Sequence, residues 1–512
     1  MNETETASPA SAEGAAARPG NAWTAIVCGL VVIGIAVRLP TMPLAPDVED
    51  SVLFIRGVIR HSIAEMRPHW PGYAVYMWLG KLLTAALGDP VLALHLISAV
   101  SSSLTAWPLA LVTRAWALSL GASEAAAGRC GLATAALWLA TPMSWVTGSQ
   151  IVSDPLGMLA GAGMLALCVA EGAGAGRWIA AALLGGVMPG IRLVNVTMLG
   201  PLLVGGWRLR GTRWRGVSAV LVMSAAFVAG VVPWLGWLAL RDPRALVYSG
   251  TAHVGGHFHQ WGESVLTEGH LLARPLRALH SLARYGFGAG FSGGREIVVS
   301  ASWLLILVLA GRALRGRWRS RASLLLAFWA VPHLLYVFVA HDMNYPRYLL
   351  SPVVTLILLG GLAPLHYRRT GVVAVLMAVA GMAAVSEPLA VRQRRHPLAE
   401  IQVARFLAGR SPAAIAIVDY PAVRFFLEDN GDIASADTSA AGIPAWQAAW
   451  AAEGREVFAT EPPPQDPGGW VPVAHFCRDP QINPYLSHDL WLFAPVSSAA
   501  ARAGPVTACD ER

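Results

Sequence analysis

A multi-span α-helical membrane protein followed by a small α/β domain is the fold class this sequence predicts. Three observations carry it. Hydrophobic residues make up 55% of the chain and charged residues only 13%, far from the balance of a soluble domain. Apolar stretches of roughly 18 to 25 residues recur, each long enough to cross a bilayer core of about 30 Å. After about Glu387 the pattern changes to short apolar runs (IAIVDY, RFFLED, PVAHFC, LWLFAP) separated by Pro, Gly and Asp. Such runs read as strands of a domain of roughly 110 residues, a usual size for an independent unit.

The first span is expected at Ala22–Leu39, behind an N-terminal segment (1–21) rich in Ala, Glu, Ser and Thr that reads as disordered. The apolar run is too long for a signal peptide, so it is taken as uncleaved. Further spans are expected at Val91–Leu118, Gly128–Val146, Pro155–Ala170, Trp178–Val187, Leu193–Trp207, Val217–Leu240, Val298–Leu314, Leu324–Ala340, Tyr348–Leu365 and Val372–Val385. Asp50–Ile63 and Gly72–Leu87 are too short or too polar for spans. The second opens with Pro-Gly, carries Lys81, and suits a helix lying at the interface. This makes about eleven spans plus interfacial helices.

Charge sets the topology. The net charge is +7, almost wholly from arginine, with Lys81 the only lysine. The arginines cluster in short loops at Trp207–Arg215, Arg312–Arg321 and Tyr367–Arg369, which the positive-inside rule places in the cytoplasm. The charge is therefore a topology signal, and nucleic acid is not an expected partner. The N-terminus falls inside. The loops 41–90 and 241–297 and the tail 390–512 fall outside, with 22–389 as the membrane domain. Five cysteines stand singly with no CxxC spacing, which argues against a zinc or iron–sulfur site. Cys477 and Cys509 lie in the tail and could pair in an oxidising compartment.

With this topology four polar segments collect on the external face: the acidic stretch with Asp47, Glu49 and Asp50, then Ser149–Asp154 (SQIVSD), Arg192 at a Pro-Gly break, and His341–Tyr348 (HDMNYPRY). Carboxylates are costly in hydrocarbon, so acids at a span exit face water or a polar cavity. The same acids could equally cap a helix beginning near Asp50. His69 and Tyr73 frame a Pro-Gly turn and are either substrate contacts or turn and aromatic-belt residues. Asp154 before Pro155 is either a site residue or a helix cap. Arg192, and the Arg347–Tyr348 pair, are the best candidates for holding a phosphate, since guanidinium matches its oxygens bidentately. The alternatives are a salt bridge inside the bundle for Arg192 and a lipid-headgroup contact for Arg347. In HVGGHFH, the residues His253, His257 and His259 have a spacing a metal could use. Two glycines speak against a regular helix there, and contact with phosphate or glycan is the preferred reading, with His257 as its representative.

An acid after the first span, then PHWPGYAVY, SQIVSDP and an Arg-Tyr pair opening a late span together resemble the GT-C superfamily of polyprenyl-phosphate-sugar-dependent glycosyltransferases. The similarity is to bacterial members of the protein O-mannosyltransferase and lipid A aminoarabinose transferase type. Asp50-Ser51 with His69-Trp70-Pro71-Gly72-Tyr73 is similar to the pattern DS…HPPGYP of one branch, with Trp70 and Ala74 departing from it. The resemblance covers roughly Arg38 to Pro352. It implies an inverting hexosyl- or pentosyltransferase in a bacterial plasma membrane, active on the outer side. The donor would be a polyprenyl-phosphate sugar, and the acceptor a glycan, lipid or protein. It implies a catalytic carboxylate in the first external loop, with Asp50 first, Asp47 second and Glu49 third. No cofactor is required, because the lipid-linked sugar is a substrate, and a divalent metal is not favoured. The competing function class is a transporter or flippase for a lipid-linked glycan, and a third reading is a non-catalytic scaffold of the same fold. A transporter should show repeated halves and ionisable groups at span midpoints. Neither feature is visible.

Overall fold

A computed structural model describes residues 20–43, 45–46, 48–170, 174–209, 216–261, 264–267, 271–290, 295–343, 345–395, 397–410, 412–418, 421–427, 432–477 and 489–507. Asp47, Cys509, most of the basic loop Trp207–Arg215 and nearly all of the N-terminal segment lie outside the described residues, and so does the Cys477–Cys509 pairing.

The protein is a multi-span helical membrane protein with a small C-terminal sheet. Among the described residues, six helical stretches have the length and apolarity to cross a bilayer: Asn21–Thr41, Pro90–Ser119, Ser218–Arg241, Glu296–Leu314, Arg321–Ala340 and Arg368–Ala408. Shorter apolar helices fill the bundle between them, among them Ala74–Leu87, Asp154–Val169 and Ala175–Ile191. Val91–Leu118 stays one helical stretch, with only a local irregularity at Thr105 between Pro90–Leu104 and Ala106–Ser119. Other expected spans are broken in the structure. Gly128–Val146 divides into Glu124–Ala140 and Pro142–Ser149, because Pro142 has no N–H to continue the first helix. Leu193–Trp207 opens as a tight turn over Leu193–Met198 before the helix Gly200–Leu209. One buried apolar cluster runs from Val27 to Leu389 and holds these pieces together.

Small residues allow the closest helix contacts. A Cβ at Gly186 would stand 2.1 Å from the Phe227 carbonyl oxygen, so Ala175–Ile191 and Gly216–Arg241 meet backbone to backbone. Arg38 ends the first helix fully buried. Its guanidinium donates to the Gly34 and Leu139 carbonyls at 3.0 and 3.3 Å, and to the Ser103 and Ser144 hydroxyls at 3.4 and 2.9 Å. The first helix is thereby tied to three others.

The tail forms a six-stranded sheet from β1 (Ala413–Ile417), β2 (Ile433–Asp437), β3 (Glu456–Ala459), β4 (Trp470–Phe476), β5 (Leu490–Pro495) and β6 (Val506–Thr507), in the order β2-β1-β3-β5-β4-β6. β1 pairs in parallel with β2 and β3, while β5 runs antiparallel to β3 and β4. The tail helix Pro421–Leu427 packs on the Glu49–Ile59 helix of the first loop. The tail thus sits against the element that carries Glu49 and Asp50.

Candidate active site

The acids begin a helix. Glu49 and Asp50 form the first turn of Glu49–Ile59, where negative charge suits the exposed N–H groups. Ser51 donates to the Ile151 carbonyl at 3.1 Å and fixes this helix to the Ser149–Asp154 turn. Asp50 does more than favour the helix end. Its carboxylate pairs with Arg347 at 2.6 Å and lies 3.7 Å from His69 Nδ1. Burial pushes the Asp50 carboxyl up, but Arg347 and then His69 outweigh this and hold it well below the usual carboxylate range. Glu49 goes the other way. Burial, then Asp50, push its carboxyl up to about 7 against the pull of Arg347, and Glu400 of the tail adds to the rise.

The Pro-Gly turn brings in His69 and Tyr73. Gly72 at φ 91° and Tyr73 at φ 44° both take left-handed backbone just before the helix Ala74–Leu87. That conformation is uncommon for a bulky residue. It aims the Tyr73 hydroxyl at His69 Nε2, 2.8 Å away. Burial lowers the His69 pKa despite the opposing pull of Asp50, and raises that of the Tyr73 hydroxyl. Trp70, the departure from the family pattern, donates to the Leu246 carbonyl at 2.9 Å and packs where a Cβ at Gly250 would clash. The bulkier side chain ties the turn to the long loop.

A second ion pair lies beside the first. Asp154 opens the helix Asp154–Val169 and accepts from Arg192 at 2.6 Å. Both readings of these residues meet here, a salt bridge inside the bundle at the edge of a polar site. Tyr348 lies close to both pairs, with the guanidinium carbons of Arg192 and Arg347 at 5.9 and 5.3 Å from its ring centroid. His341 stacks on Tyr348 at 3.9 Å. A cavity of about 30 Å³ lies here, lined by Asp154, Arg192, Arg347, Tyr348, His341 and Ser351 among others. It has room for about one water.

Its walls carry unsatisfied polar atoms. Arg347 is buried and uses Nη2 on Asp50, while its Nε and Nη1 have no hydrogen-bond partner. Both His341 ring nitrogens and the Ser351 hydroxyl are in the same state. Buried donors left unpaired are expensive, so such a group points to a ligand.

The histidines of HVGGHFH separate. Contrary to the expectation from its glycines, the segment is helical, with Pro243–Gly256 continuing into a wider turn at His257–Trp261. His253 stacks on His69 at 5.5 Å, and His257 Nε2 meets the Ala340 carbonyl at 2.7 Å with its ring edge-on to His341. Burial, then His69 and His257, push the His253 pKa down to about 4. Arg274, almost fully buried, donates Nε to the Phe338 carbonyl at 2.5 Å and Nη2 to that of His341, holding the loop on the end of Arg321–Ala340.

Sequence reasoning placed Asp47, Glu49, Asp50, His69, Tyr73, Asp154, Arg192, His257, Arg347 and Tyr348 as site candidates; the structure brings the eight from Asp50 onward around this cavity or its immediate neighbours, Glu49 sits beside Asp50 on the same helical turn, and Asp47 lies outside the described residues. It did not single out His341 or Ser351, although HDMNYPRY contains the first. Glu400, which acts on Glu49 from the tail, has no local signal at all.

Comparison with family models and with curated sequences finds no match. Solved structures do match. The apo structure of ArnT from Cupriavidus metallidurans superposes with a TM-score of 0.58 at 15% identity, over 95% of this chain and 100% of that one. The same protein bound to undecaprenyl phosphate gives 0.56 at 14% identity, over 93% and 99%. The chain has the GT-C fold. At such identity the likeness concerns the fold, and residue roles rest on the geometry above.

Proposed function

We propose that this GT-C-fold protein is a glycosyltransferase that moves one sugar from a polyprenyl-phosphate carrier to an acceptor on the outer face of a bacterial plasma membrane. The observation that carries this reading is Arg347, buried, with Nη2 held on Asp50 while Nε and Nη1 have no partner. Each of these nitrogens keeps an N–H for a phosphate oxygen, while the forks that include Nη2 are engaged by Asp50. Arg192, 5.9 Å from the Tyr348 ring, adds a second positive charge. The carrier phosphate would seat at the mouth of the cavity with one oxygen directed inward. The ArnT structure holding undecaprenyl phosphate supports a carrier of this class for the fold.

The reaction follows from the groups present. The acceptor hydroxyl oxygen attacks the anomeric carbon as the bond to the phosphate oxygen breaks, and that oxygen keeps the electron pair. A single displacement inverts the anomeric centre. The leaving phosphate needs positive charge and no proton, which the two arginines supply. The hydroxyl proton goes to a carboxylate, and Asp50 is the acid within the constellation. Alone with Arg347, Asp50 is a weak base. Once the phosphate shares that guanidinium, the proton affinity of Asp50 rises, so donor binding readies the base. A positioned general base contributes about 10²–10⁴ in rate.

Purified protein offered a panel of polyprenyl-phosphate sugars should release the sugar from at least one of them. Asp50→Asn should lower turnover about 10²-fold or more with donor binding little changed. Full turnover in Asp50→Asn and Glu49→Gln alike would remove the acid-base step from this loop.

A further inference from the structure

The tail sheet is covered unevenly. On one face the helices Ala399–Ala408, Pro421–Leu427 and Ala499–Ala503 pack over the strands and bury Phe476, Leu490 and Leu492. On the other, the helix Ile443–Ala452 covers β1 and β3. On that side Trp470 of β4 and Phe493 of β5 also pack into the core under this helix. Strand alternation sends residues i and i+2 to one face. Trp491 and Phe493 therefore share that face with their cross-strand partners His475 and Pro472, and beyond Phe493 no described helix covers Trp491 and His475.

The uncovered part carries an ordered ring pair. Trp491 is 43% exposed, a large apolar surface to leave in water. Its ring lies flat on the His475 imidazole, with centroids 3.8 Å apart and planes 6° from parallel. The imidazole is held in turn, with Nε2 3.7 Å from the Asp489 carboxylate and 3.7 Å from the Cys477 sulfur. His475, Cys477 and Asp489 bring their ligand atoms within 4.8 Å of one another. Cys477 is disulfide-bonded, however, so it offers no thiolate to a metal. The cluster orients the rings.

We propose that the Trp491–His475 pair is a stacking platform for a saccharide ring, with the exposed Asp489 carboxylate beside it accepting from the ring hydroxyls. A sugar ring has an apolar C–H face and a rim of donors and acceptors. A flat, pre-oriented indole beside a carboxylate and an imidazole answers both. The patch presents rings and the exposed Pro472, with no exposed aliphatic side chain among its four residues. An amphipathic helix docks instead into a hydrophobic groove. That the bound saccharide is the acceptor rests on the transferase reading; the platform itself does not. The tail's contact with Glu49–Ile59 ties the platform to the element bearing the acids.

The test uses full-length protein in lipid nanodiscs, free of sugar-headed detergent. Maltohexaose, chitohexaose and mannohexaose are each titrated by saturation-transfer difference NMR. At least one should show saturation at ring C–H protons. Trp491→Ala should weaken it about tenfold, a change of 1.4 kcal/mol. Trp491→Phe, which keeps a flat ring and reports on folding, should retain most of the binding. Trp446→Ala, at an exposed indole stacked on Trp450 elsewhere in the domain, should leave binding intact. No saturation with any of the three sugars, or equal saturation in wild type and Trp491→Ala, overturns the platform. Saturation without any turnover of polyprenyl-phosphate sugars leaves the platform standing and removes the transferase reading.

Discussion

Two neighbouring acids on one helical turn titrate in opposite directions because of what each faces. Asp50 meets Arg347 at 2.6 Å, while Glu49 is buried beside Asp50 and under the influence of Glu400. Glu49, with its carboxyl pushed up to about 7 from an ordinary 4.5, holds its proton in the folded state after the unfolded chain has lost it. Stability therefore falls as pH rises through that window and levels off above it. Ionised Glu49 adds negative charge next to Asp50 and makes Asp50 a better base. Turnover should therefore rise with pH through about 7, and Glu49→Gln should flatten that limb while retaining activity. An unchanged limb in Glu49→Gln would assign it to another group. Arg347→Lys keeps a charge but loses the fixed Nε and Nη1 donors, so donor affinity should fall by about 1.5–3 kcal/mol, the worth of a charge-assisted hydrogen bond. Calorimetric titration with undecaprenyl phosphate measures it, and wild-type affinity in Arg347→Lys would count against the phosphate role.

Elements far apart in the chain meet at the site because side chains at helix ends reach across. Ser51 fixes the acidic helix to the Ser149–Asp154 turn, Trp70 fixes the Pro-Gly turn to the long loop, and Arg274 fixes that loop to the end of Arg321–Ala340. Arg38 has the same role deeper in the bundle, where its partners are carbonyls and hydroxyls. Arg38→Met fills similar space but removes these four hydrogen bonds, at a cost of about 3 kcal/mol. A thermal melt in nanodiscs should show the loss, and an unchanged melting temperature would show that the Arg38 contacts contribute nothing net. The element pattern was partly legible in sequence: apolar runs and their approximate positions were visible, and Pro142 marks the break at Thr141, while the tight turn over Leu193–Met198 was not visible. A hydropathy run measures composition, and a helix can end inside an apolar run without any change in it.

At the scale of the molecule the proposed transferase is expected to work on the outer face, the side that the positive-inside rule predicts for the loop 241–297. Thr251, exposed on the long loop, offers a direct check. Thr251→Cys should react with an impermeant thiol reagent added to intact cells, above the wild-type background. Labelling only after permeabilisation would reverse the topology and put the site in the cytoplasm. The tail packs on Glu49–Ile59, so the acids lie between membrane domain and sheet.

By itself the sequence determined that this chain enters a membrane many times, because about 20 apolar residues in a row have no other stable solution in water and lipid. It also determined which polar segments interrupt the apolar ones, since each charge outside water has to be accounted for. What it could not determine was pairing. Asp50 and Arg347 are almost 300 residues apart in the chain and 2.6 Å apart in space, and only the packing of the intervening helices decides that Asp50 takes Arg347 while Asp154 takes Arg192. The two unpartnered nitrogens of Arg347, the rise of Glu49 under Glu400 and the uncovered Trp491 are likewise tertiary facts. Each depends on which surfaces are buried against which, and burial is a property of the folded chain as a whole.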